Sequence, residues 1–560
     1  MSTDATTVPT PPFSSIYRNG SIILFIALAW IILLTFRQYG ITWDEPTQNY
    51  YGSLVDRYYL GLLHGQIDLG PILKDYNFAY YGGLFDSIAA GVEHISPFGE
   101  FETRHLLNAL VGLLGIAGCW KLARLLGGDA AGFWAALLLA ITPRYWGPIF
   151  NNPKDIPFAA GYIWSVYYLV AAIPYLPRIP WKICLKLGVA IGLTLAIRVP
   201  ALLLLVYLAA IQIAYLVWFA IQGDRATLRG LLPPALSRFA AVAALAWSIM
   251  LAFWPWAQLN PLKRPFQAFA YFSSFPWSGT VLFHGKRFPA AALPRTYTLE
   301  WLGITLPEGV LALLGLAIVL AVRHIWIRRG TLFSEIPAQH AFTACAFLGP
   351  LLYLLIAHPV LYDAERHSLY LIPVLICICG VTWACALNSL FASHRVLAVA
   401  SAAMFIGYVG WHVSLLVRLH PEEYVFFNQA VGGLKGAAQN YETDYWGNSY
   451  REAVKLLVDH VRAERQGKPG KHYRVYMTSS QRVSATYYFP SYFSLTANPK
   501  DADFFLATTR YNVQDTVQGC TVAEVERFGV PLAVIKDLRC SKSEPDPAER
   551  QARVGGSKGL

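Results

Sequence analysis

Charge is what this 560-residue chain has little of. Asp, Glu, Lys and Arg make up 14% of it, where a soluble globular protein carries roughly 25%. Apolar residues reach 55% and the mean hydropathy is +0.40. That balance excludes disorder, a coiled coil and a single soluble enzyme domain. Other absences narrow the chemistry. There is no GxxxxGK[ST] loop and no dinucleotide glycine fingerprint, so no motif for ATP or NAD. The thirteen histidines form no HExxH and no Cys/His cluster at zinc spacing. No repeat recurs at a solenoid period. No small-x-small cleavage site follows the first apolar run, where Arg37, Gln38 and Tyr39 stand. That run, 21–36, predicts an uncleaved membrane helix and not a signal peptide.

What the chain does have is long apolar runs. A bilayer core of ~30 Å needs ~20 mostly apolar residues per helix. Beyond the first run, candidates are 106–126, 130–142, 156–173, 183–197, 200–221, 239–254, 306–327, 342–357, 369–387 and 396–417, about eleven in all. The loops after the second, fourth, sixth and eighth runs carry Lys121/Arg124, Arg178/Lys182/Lys186, Arg225/Arg229/Arg238 and Arg323/Arg328/Arg329. Under the positive-inside rule these are cytoplasmic. The net charge of +11 thus reflects loop bias and not nucleic-acid binding. An odd count then puts the N-terminus inside and the C-terminal segment outside.

The expected organisation is a short cytoplasmic tail over 1–20, a membrane module over 21–419, an outer α/β domain over 420–540 and a disordered tail over 541–560, with 1–12 disordered as well. The fold class is a polytopic α-helical membrane protein with a small C-terminal α/β domain. Two outer loops are long, 37–103 and 255–303. The first holds Tyr51, Leu54, Val55, Tyr58 and Leu62, then Tyr81, Leu84, Phe85, Ile88 and Val92. Both sets have helical spacing and predict amphipathic helices on the membrane surface. The C-terminal segment has strand-like runs at 473–477, 504–507 and 532–535, and a helix opened by a capping box, Ser449 to Glu452. Of eight cysteines, six (119, 184, 345, 377, 379 and 385) sit in or beside apolar runs and predict packing residues. Cys520 and Cys540 fall in the outer domain, where oxidation is permitted. The turn signal Gly529-Val530-Pro531 between two strand-like runs would bring them together, so they are expected to form a disulfide.

Three constellations bear on chemistry. Trp43-Asp44-Glu45-Pro46 follows the first run. Two adjacent carboxylates there fit helix capping, with Thr42 as N-cap and Glu45 at the third position. They also fit a general base poised where a water-soluble acceptor meets a lipid-linked donor. Asn151-Asn152-Pro153-Lys154-Asp155 precedes the fourth run, as an Asx turn with an ion pair or as part of a site. Basic residues gather at the outer face: Arg198 in Ile197-Arg198-Val199-Pro200, Lys286 and Arg287 in the long loop, and Arg366-His367 in Asp363-Ala364-Glu365-Arg366-His367. They run against the positive-inside bias. A lipid phosphate would explain them, and so would an internal salt bridge such as Arg366 to Asp363.

An Asp-Glu pair after the first membrane helix, an Asn-Pro-Lys-Asp loop and an Arg-Val-Pro turn, in that order, resemble the GT-C membrane glycosyltransferases. Within them the chain is similar to the bacterial protein-O-mannosyltransferase-like group, glycosyltransferase family 39, and to the aminoarabinose transferase of lipid A. The segments VLFHGKRFPAAALPRTYTLEWLGIT, DAERHSLYLIP, HPEEYVFFNQAVGGLKGA and DYWGNSYREA extend the resemblance over about 40–453. It implies a GT-C-like fold in a bacterial inner membrane, with the C-terminal domain periplasmic. It implies an inverting transfer of a sugar from a polyprenyl-phosphate donor to a glycan, lipid or protein acceptor. Asp44 would be the catalytic carboxylate and Glu45 its supporting neighbour. Asp155 would be the acidic residue of the second loop, and Arg366 a donor-phosphate contact. Lys154, Arg198, Lys286 and His367 complete the candidate substrate-binding set. Some members of the class bind a divalent cation and others do not, so the resemblance leaves a metal open, and no residue is assigned to one. The chain departs from the eukaryotic protein mannosyltransferases in having no recognised central-loop repeat domains. The competing class is a transporter or flippase of lipid-linked sugars. Such proteins favour internal repeats and charged, discontinuous midplane helices, and the unusual charges here lie in outer loops instead.

Overall fold

The computed structural model describes residues 14–66, 68–221, 225–327, 337–465, 470–478 and 482–542. Of the ends expected to be disordered, 1–12 and 543–560 lie outside the described residues, as does the basic pair Arg328 and Arg329, while Ser541 and Lys542 close a short helix, Arg539–Lys542.

Every apolar run becomes a helix. The longer helices are α1 (Ser14–Thr35), α2 (Asp44–Leu63), α3 (Leu84–Glu93), α4 (Glu100–Ala140), α5 (Asp155–Ala172), α6 (Trp181–Leu195), α7 (Leu202–Ile221), α8 (Arg225–Ala252), α9 (Glu308–Ile327), α10 (Ala338–Ala357), α11 (Ile372–Ser393), α12 (Arg395–Leu419) and α13 (Tyr450–Arg465). Among the described residues nine helices are long and apolar enough to cross a membrane. The difference from eleven has two causes. The runs 106–126 and 130–142 both fall within α4, but Gly128 (φ 79°, ψ −173°) breaks it into two helices that fold back on one another, with Gly132 against Trp120 and Arg124, and the second is too short to count by length. The run 183–197 becomes α6, whose 15 residues fall short of the ~20 that a bilayer core needs. α1 starts at Ser14 and not at residue 21, so Arg18 lies inside the helix.

Burial separates central from peripheral helices. The most apolar stretches of α5 and α11 are 67% buried, those of α7 and α12 17% and that of α9 11%. The outer faces are apolar, for instance Ile23, Trp30 and Leu34 of α1 and Val319, Val322 and Trp326 of α9. Acyl chains can cover such faces without the cost that water would impose. Inside, α11 packs along α4, and small residues set the spacing. A Cβ on Gly380 would lie 2.6 Å from that of Ala135, so the two backbones approach as closely as small residues allow. The cysteines of these helices behave as packing groups: Cys119, Cys184, Cys377 and Cys379 are buried, while Cys345 and Cys385 are exposed.

The chain divides into two compact units. One comprises Met1–Arg37, Thr47–Val281 and Arg287–Ala430, and the other Gln38–Pro46, Leu282–Lys286 and Val431–Leu560. The expected boundary at 419/420 therefore moves to 430/431, and the first outer loop is divided. Hydrogen bonds are the reason. Within the second unit the Gly40 N–H donates to Asn448 Oδ1 at 2.6 Å, and the Gly285 N–H donates to the Asn440 carbonyl at 3.1 Å.

Strands β1 (Thr280–Phe283) and β2 (Lys286–Pro289) form a two-stranded ribbon. The C-terminal sheet contains β3 (Tyr473–Tyr476), β4 (Phe493–Thr496), β5 (Phe504–Thr508), β6 (Cys520–Arg527) and β7 (Val530–Asp537), in the order β4-β3-β5-β7-β6. β3 pairs in parallel with β4 and β5, while β7 runs antiparallel to β5 and β6. β5 is buried at every position, as its uninterrupted run Phe504 to Ala507 requires. α13 lays Ala453, Val454, Leu457 and Val461 on one sheet face, against Val475, Phe504, Leu506 and Ile535. Each such Val or Leu is worth about 1.5–3 kcal/mol when fully buried. The expected capping box at its start does not form. The Ser449 hydroxyl donates to Asp444, and Glu452 accepts from Arg527 at 2.6 Å. The β6–β7 turn is Phe528-Gly529, both left-handed (φ 52° and 73°), as a two-residue hairpin demands. Pro531, expected in the turn, sits in β7 beside a bulge, where a strand tolerates it.

Cys520 and Cys540 are bonded, with Cα atoms 6.2 Å apart. Closing this loop is worth about 3 kcal/mol in the chain-entropy model. Alkylation of freshly isolated protein without reductant should leave both thiols unlabelled, and labelling of both would count against the bridge and against an outside location of this unit.

Candidate active site

The membrane unit concentrates charge at the start of α5. Asn152 forms an Asx turn there. Its Oδ1 accepts from the Asp155 N–H at 2.9 Å and the Lys154 N–H at 3.3 Å, and its Nδ2 donates to Asp155 Oδ2 at 3.0 Å. The local turn was expected, but the burial was not. Asp155 is 2% exposed and holds two arginines from distant parts of the chain. Arg198, on the turn between α6 and α7, donates to Oδ1. Arg366, from the loop before α11, donates through Nε to Oδ2 at 3.1 Å. Arg366 also donates through Nη1 to Asp363 Oδ2 at 3.1 Å. The salt bridge considered for Arg366 is therefore present, with Asp155 as a second partner. Asp363 and Ala364 are both left-handed (φ 57° and 62°). His367 packs edge-on against Tyr362, ring centroids 4.7 Å apart.

Lys154 lies 3.9 Å from the centroid of Tyr81. Gln48 links it to a second buried cluster: its amide oxygen accepts from Lys154 Nζ at 2.7 Å and its nitrogen donates to Asp86 Oδ2 at 2.8 Å. Arg104 donates to Asp86 at 2.5 Å and to Glu93 at 3.5 Å. Burial pushes Asp86 up to about 6 and Glu93 up to about 7, with Arg104 opposing both shifts. A third buried cation, Arg144, donates through Nε to the Phe426 carbonyl at 3.0 Å. It stands 3.4 Å from Glu365 and 4.9 Å from the Phe427 ring centroid. The sequence singled out none of Asp86, Arg104 and Arg144 as site residues. Polar residues at the ends of apolar runs were the available signal.

Beside the Asp155 cluster lies a cavity of about 370 Å³. Arg198, His367 and Tyr81 contribute its polar edge. Phe158, Tyr162, Leu203, Phe272 and Leu354 are among its apolar walls. The membrane unit thus brings together Lys154, Asp155, Arg198, Arg366 and His367 of the candidate set.

The other three candidates belong to the C-terminal unit. Asp44 and Glu45 open α2. Glu45 is buried, and its Oε2 accepts from the Thr42 N–H at 2.8 Å and the Thr42 hydroxyl at 3.2 Å. That is half of a capping box. Asp44 is half-exposed. Lys286 is exposed on β2. Among the described residues one trio, His460, Glu464 and Asp537, brings metal-ligating atoms within 4.8 Å. Arg539 takes the cation's place, donating to Glu464 at 2.7 Å and Asp537 at 2.6 Å.

Removing Asp155's charge leaves two guanidinium groups with less counter-charge. Breaking a buried pair typically costs about 3–5 kcal/mol. Asp155→Asn should lower the thermal midpoint of the detergent-solubilised protein well below that of Asp155→Glu, and an unchanged midpoint would remove the structural role. The raised carboxyls give a pH dependence. The native protein keeps protons that the unfolded chain releases near pH ~4. The contribution of Asp86 and Glu93 to stability is therefore fully present below that pH and lost as pH rises through about 6 to 7. Glu93→Gln should flatten the fall of the midpoint between pH ~5 and ~8.

Residues 85–256 match a family model described as dolichyl-phosphate-mannose-protein mannosyltransferase. No curated protein matches the chain in sequence. Among solved structures the chain is similar to ArnT from Cupriavidus metallidurans in the apo state, with 14% identity over 94% of this chain and 100% of that one, and a TM-score of 0.45. It is similar to the same enzyme bound to undecaprenyl phosphate, with 13% identity over 94% and 99% and a TM-score of 0.44. It is also similar to the archaeal oligosaccharyltransferase AglB from Archaeoglobus fulgidus, in complex with an inhibitory peptide and a dolichol-phosphate, with 13% identity over 89% and 70% and a TM-score of 0.44. The family match over 85–256 agrees with the resemblance of the motifs to the protein-O-mannosyltransferase-like group. The part of this chain similar to the mannosyltransferase family contains Asp86, Arg104, Arg144, Lys154, Asp155 and Arg198.

Proposed function

We propose that this protein is an inverting glycosyltransferase that moves a sugar from a polyprenyl-phosphate donor to an acceptor at the outer face of a bacterial inner membrane. The observation that carries the reading is Arg198. It is tied on one side to Asp155 and, beside His367, lines a mostly aromatic and aliphatic cavity among membrane helices. A cation at the edge of an apolar pocket suits a phosphate that carries a long isoprenoid chain, because the charge is matched and the chain is desolvated. The family match over 85–256 supports the same class of reaction.

In the proposed reaction the acceptor hydroxyl loses its proton to Asp44 and its oxygen attacks the anomeric carbon. The bond from that carbon to the phosphate oxygen breaks, and its electron pair leaves with the polyprenyl phosphate. Arg198 and Lys154 stabilise the departing charge, with Arg366, His367 and Lys286 as further substrate contacts. A phosphate leaving group needs no second carboxylic acid to protonate it, in contrast to the inverting glycosidase arrangement. Asp44 is favoured over Glu45 as base because it is the more exposed of the two, Glu45 being buried with its carboxylate accepting from Thr42. Glu45 then supports Asp44 by fixing the first turn of α2. The proposed orientation has the N-terminus cytoplasmic and the C-terminal unit periplasmic, as the basic loops suggest.

Membranes given a labelled polyprenyl-phosphate sugar should pass the label to an acceptor with inverted anomeric configuration. Asp44→Asn should lower turnover by ~10²-fold or more, and Glu45→Gln by less. Near-normal turnover of purified Asp44→Asn would sink the base assignment.

A further inference from the structure

The segment that leads into Asp44 is held almost residue by residue by the C-terminal chain. Arg451 Nη1 donates to the Tyr39 carbonyl at 3.1 Å. The Gly40 N–H donates to Asn448 Oδ1 at 2.6 Å, and the Trp43 N–H donates to the Trp446 carbonyl at 3.2 Å. Arg510 lies over the Trp43 ring, 4.3 Å from its centroid. A Cβ on Gly40 would come within 2.1 Å of the Asn448 carbonyl oxygen, so this approach excludes any other residue.

The holding groups are themselves fixed. Asn448 is 1% exposed. It sits in a turn closed by Asp444, which accepts from the Gly447 N–H at 2.7 Å and from the Ser449 hydroxyl. Arg510 Nη1 donates to the Tyr445 carbonyl at 2.8 Å, and its Nη2 lies 3.5 Å from Glu442. The next two residues, Tyr511 and Asn512, are both left-handed (φ 61° and 56°). Two consecutive residues keep that conformation only where the surroundings over-determine it.

We propose that Asn448 and Arg510 are positioning residues for Asp44, so that the C-terminal domain is an integral part of the active site's base and not an appended module. The inference rests on the reading that Asp44 is the base. Asn448 and Trp446 fix the backbone on either side of Ile41-Thr42. Arg510 fixes the Trp43 ring, and Glu45 locks the helix start through Thr42. Asp44, between Trp43 and Glu45, then meets the acceptor in one conformation. A base that must be found by loop motion loses turnover, not donor affinity.

The test uses the full-length protein in detergent with two measurements. Hydrogen exchange should rise roughly tenfold at the Gly40 and Trp43 amides in Asn448→Ala and Arg510→Ala, while strands β5 to β7 keep wild-type protection. Turnover of a polyprenyl-phosphate sugar should fall about tenfold or more with the donor KM unchanged. Asn448→Asp keeps an acceptor for the Gly40 N–H and should restore both. Should an alanine variant fail to fold, seen as lost protection in β5 to β7, Asn448→Ser, whose shorter side chain withdraws the acceptor from the Gly40 N–H, and Arg510→Lys carry the comparison. Unchanged exchange at Gly40 and Trp43 would overturn the clasp. Raised exchange with unchanged turnover would overturn the positioning role. Failure of the base reading shows separately, as normal turnover in Asp44→Asn.

Discussion

The membrane unit depends on one carboxylate that balances two arginines, Arg366 buried and Arg198 largely so. Asp155 draws Arg198 from the α6–α7 turn and Arg366 from the loop before α11 to the first turn of α5. A charge at membrane depth costs several kcal/mol unless it is paired. Three polar chain segments can therefore sit at the end of an apolar bundle only by meeting one another. The helix N-terminus favours the carboxylate as well, so α5, the most buried of the spans together with α11, brings its charge to where it is best tolerated. The cavity edge is built on this junction. Arg198 is held there by Asp155.

Neighbouring carboxylates in this protein have different work. Glu45 is spent on Thr42, and Asp44, one residue earlier, stays half-exposed. Asp363 accepts from Arg366, while Glu365 stands against Arg144 in a separate cluster. Adjacent positions point in different directions once a helix starts or a loop turns, so a sequence motif of two acids is not one functional unit. The same holds for Lys154 and Asp155. The lysine reaches Gln48 and Tyr81, and the aspartate reaches the two arginines.

Much of the architecture was legible in the sequence because it follows from apolar run length. All the apolar runs became helices, and the strand-like runs at 473–477, 504–507 and 532–535 became β3, β5 and β7. The Asp155 region was legible as a motif and Arg198 and Arg366 as misplaced charges. Their common partner was not, since residues 155, 198 and 366 meet only through tertiary packing. Arg104 and Arg144 were not singled out because each stands at the end of an apolar run and looks like an ordinary boundary charge until its burial is known. The capping box at Ser449 failed for a related reason. Asp444 and Arg527 are stronger partners for its two side chains than the helix backbone is. The division of the first outer loop between two units could not be seen at all, because it rests on hydrogen bonds spanning some 400 residues of chain.

The loop carrying Arg366 indicates how the junction is kept in order. Asp363 and Ala364 both have positive φ, a conformation that costs of order 1–3 kcal/mol for each non-glycine residue. An ion pair at a free surface returns less than that, so it could not hold such a turn. A buried guanidinium bonded by Nε to one carboxylate and by Nη1 to another returns more, because its hydrogen bonds are charge-assisted and shielded from water. The planar fork matters here, since a lysine has a single nitrogen and cannot meet Asp155 and Asp363 in the same geometry. The strained turn and the forked arginine thus require each other, and together they keep Asp155 oriented toward Arg198. On the proposed reaction, that is charge arranged before the substrate arrives, and stabilisation of a leaving phosphate by groups already in place incurs no reorganisation at the moment of bond cleavage.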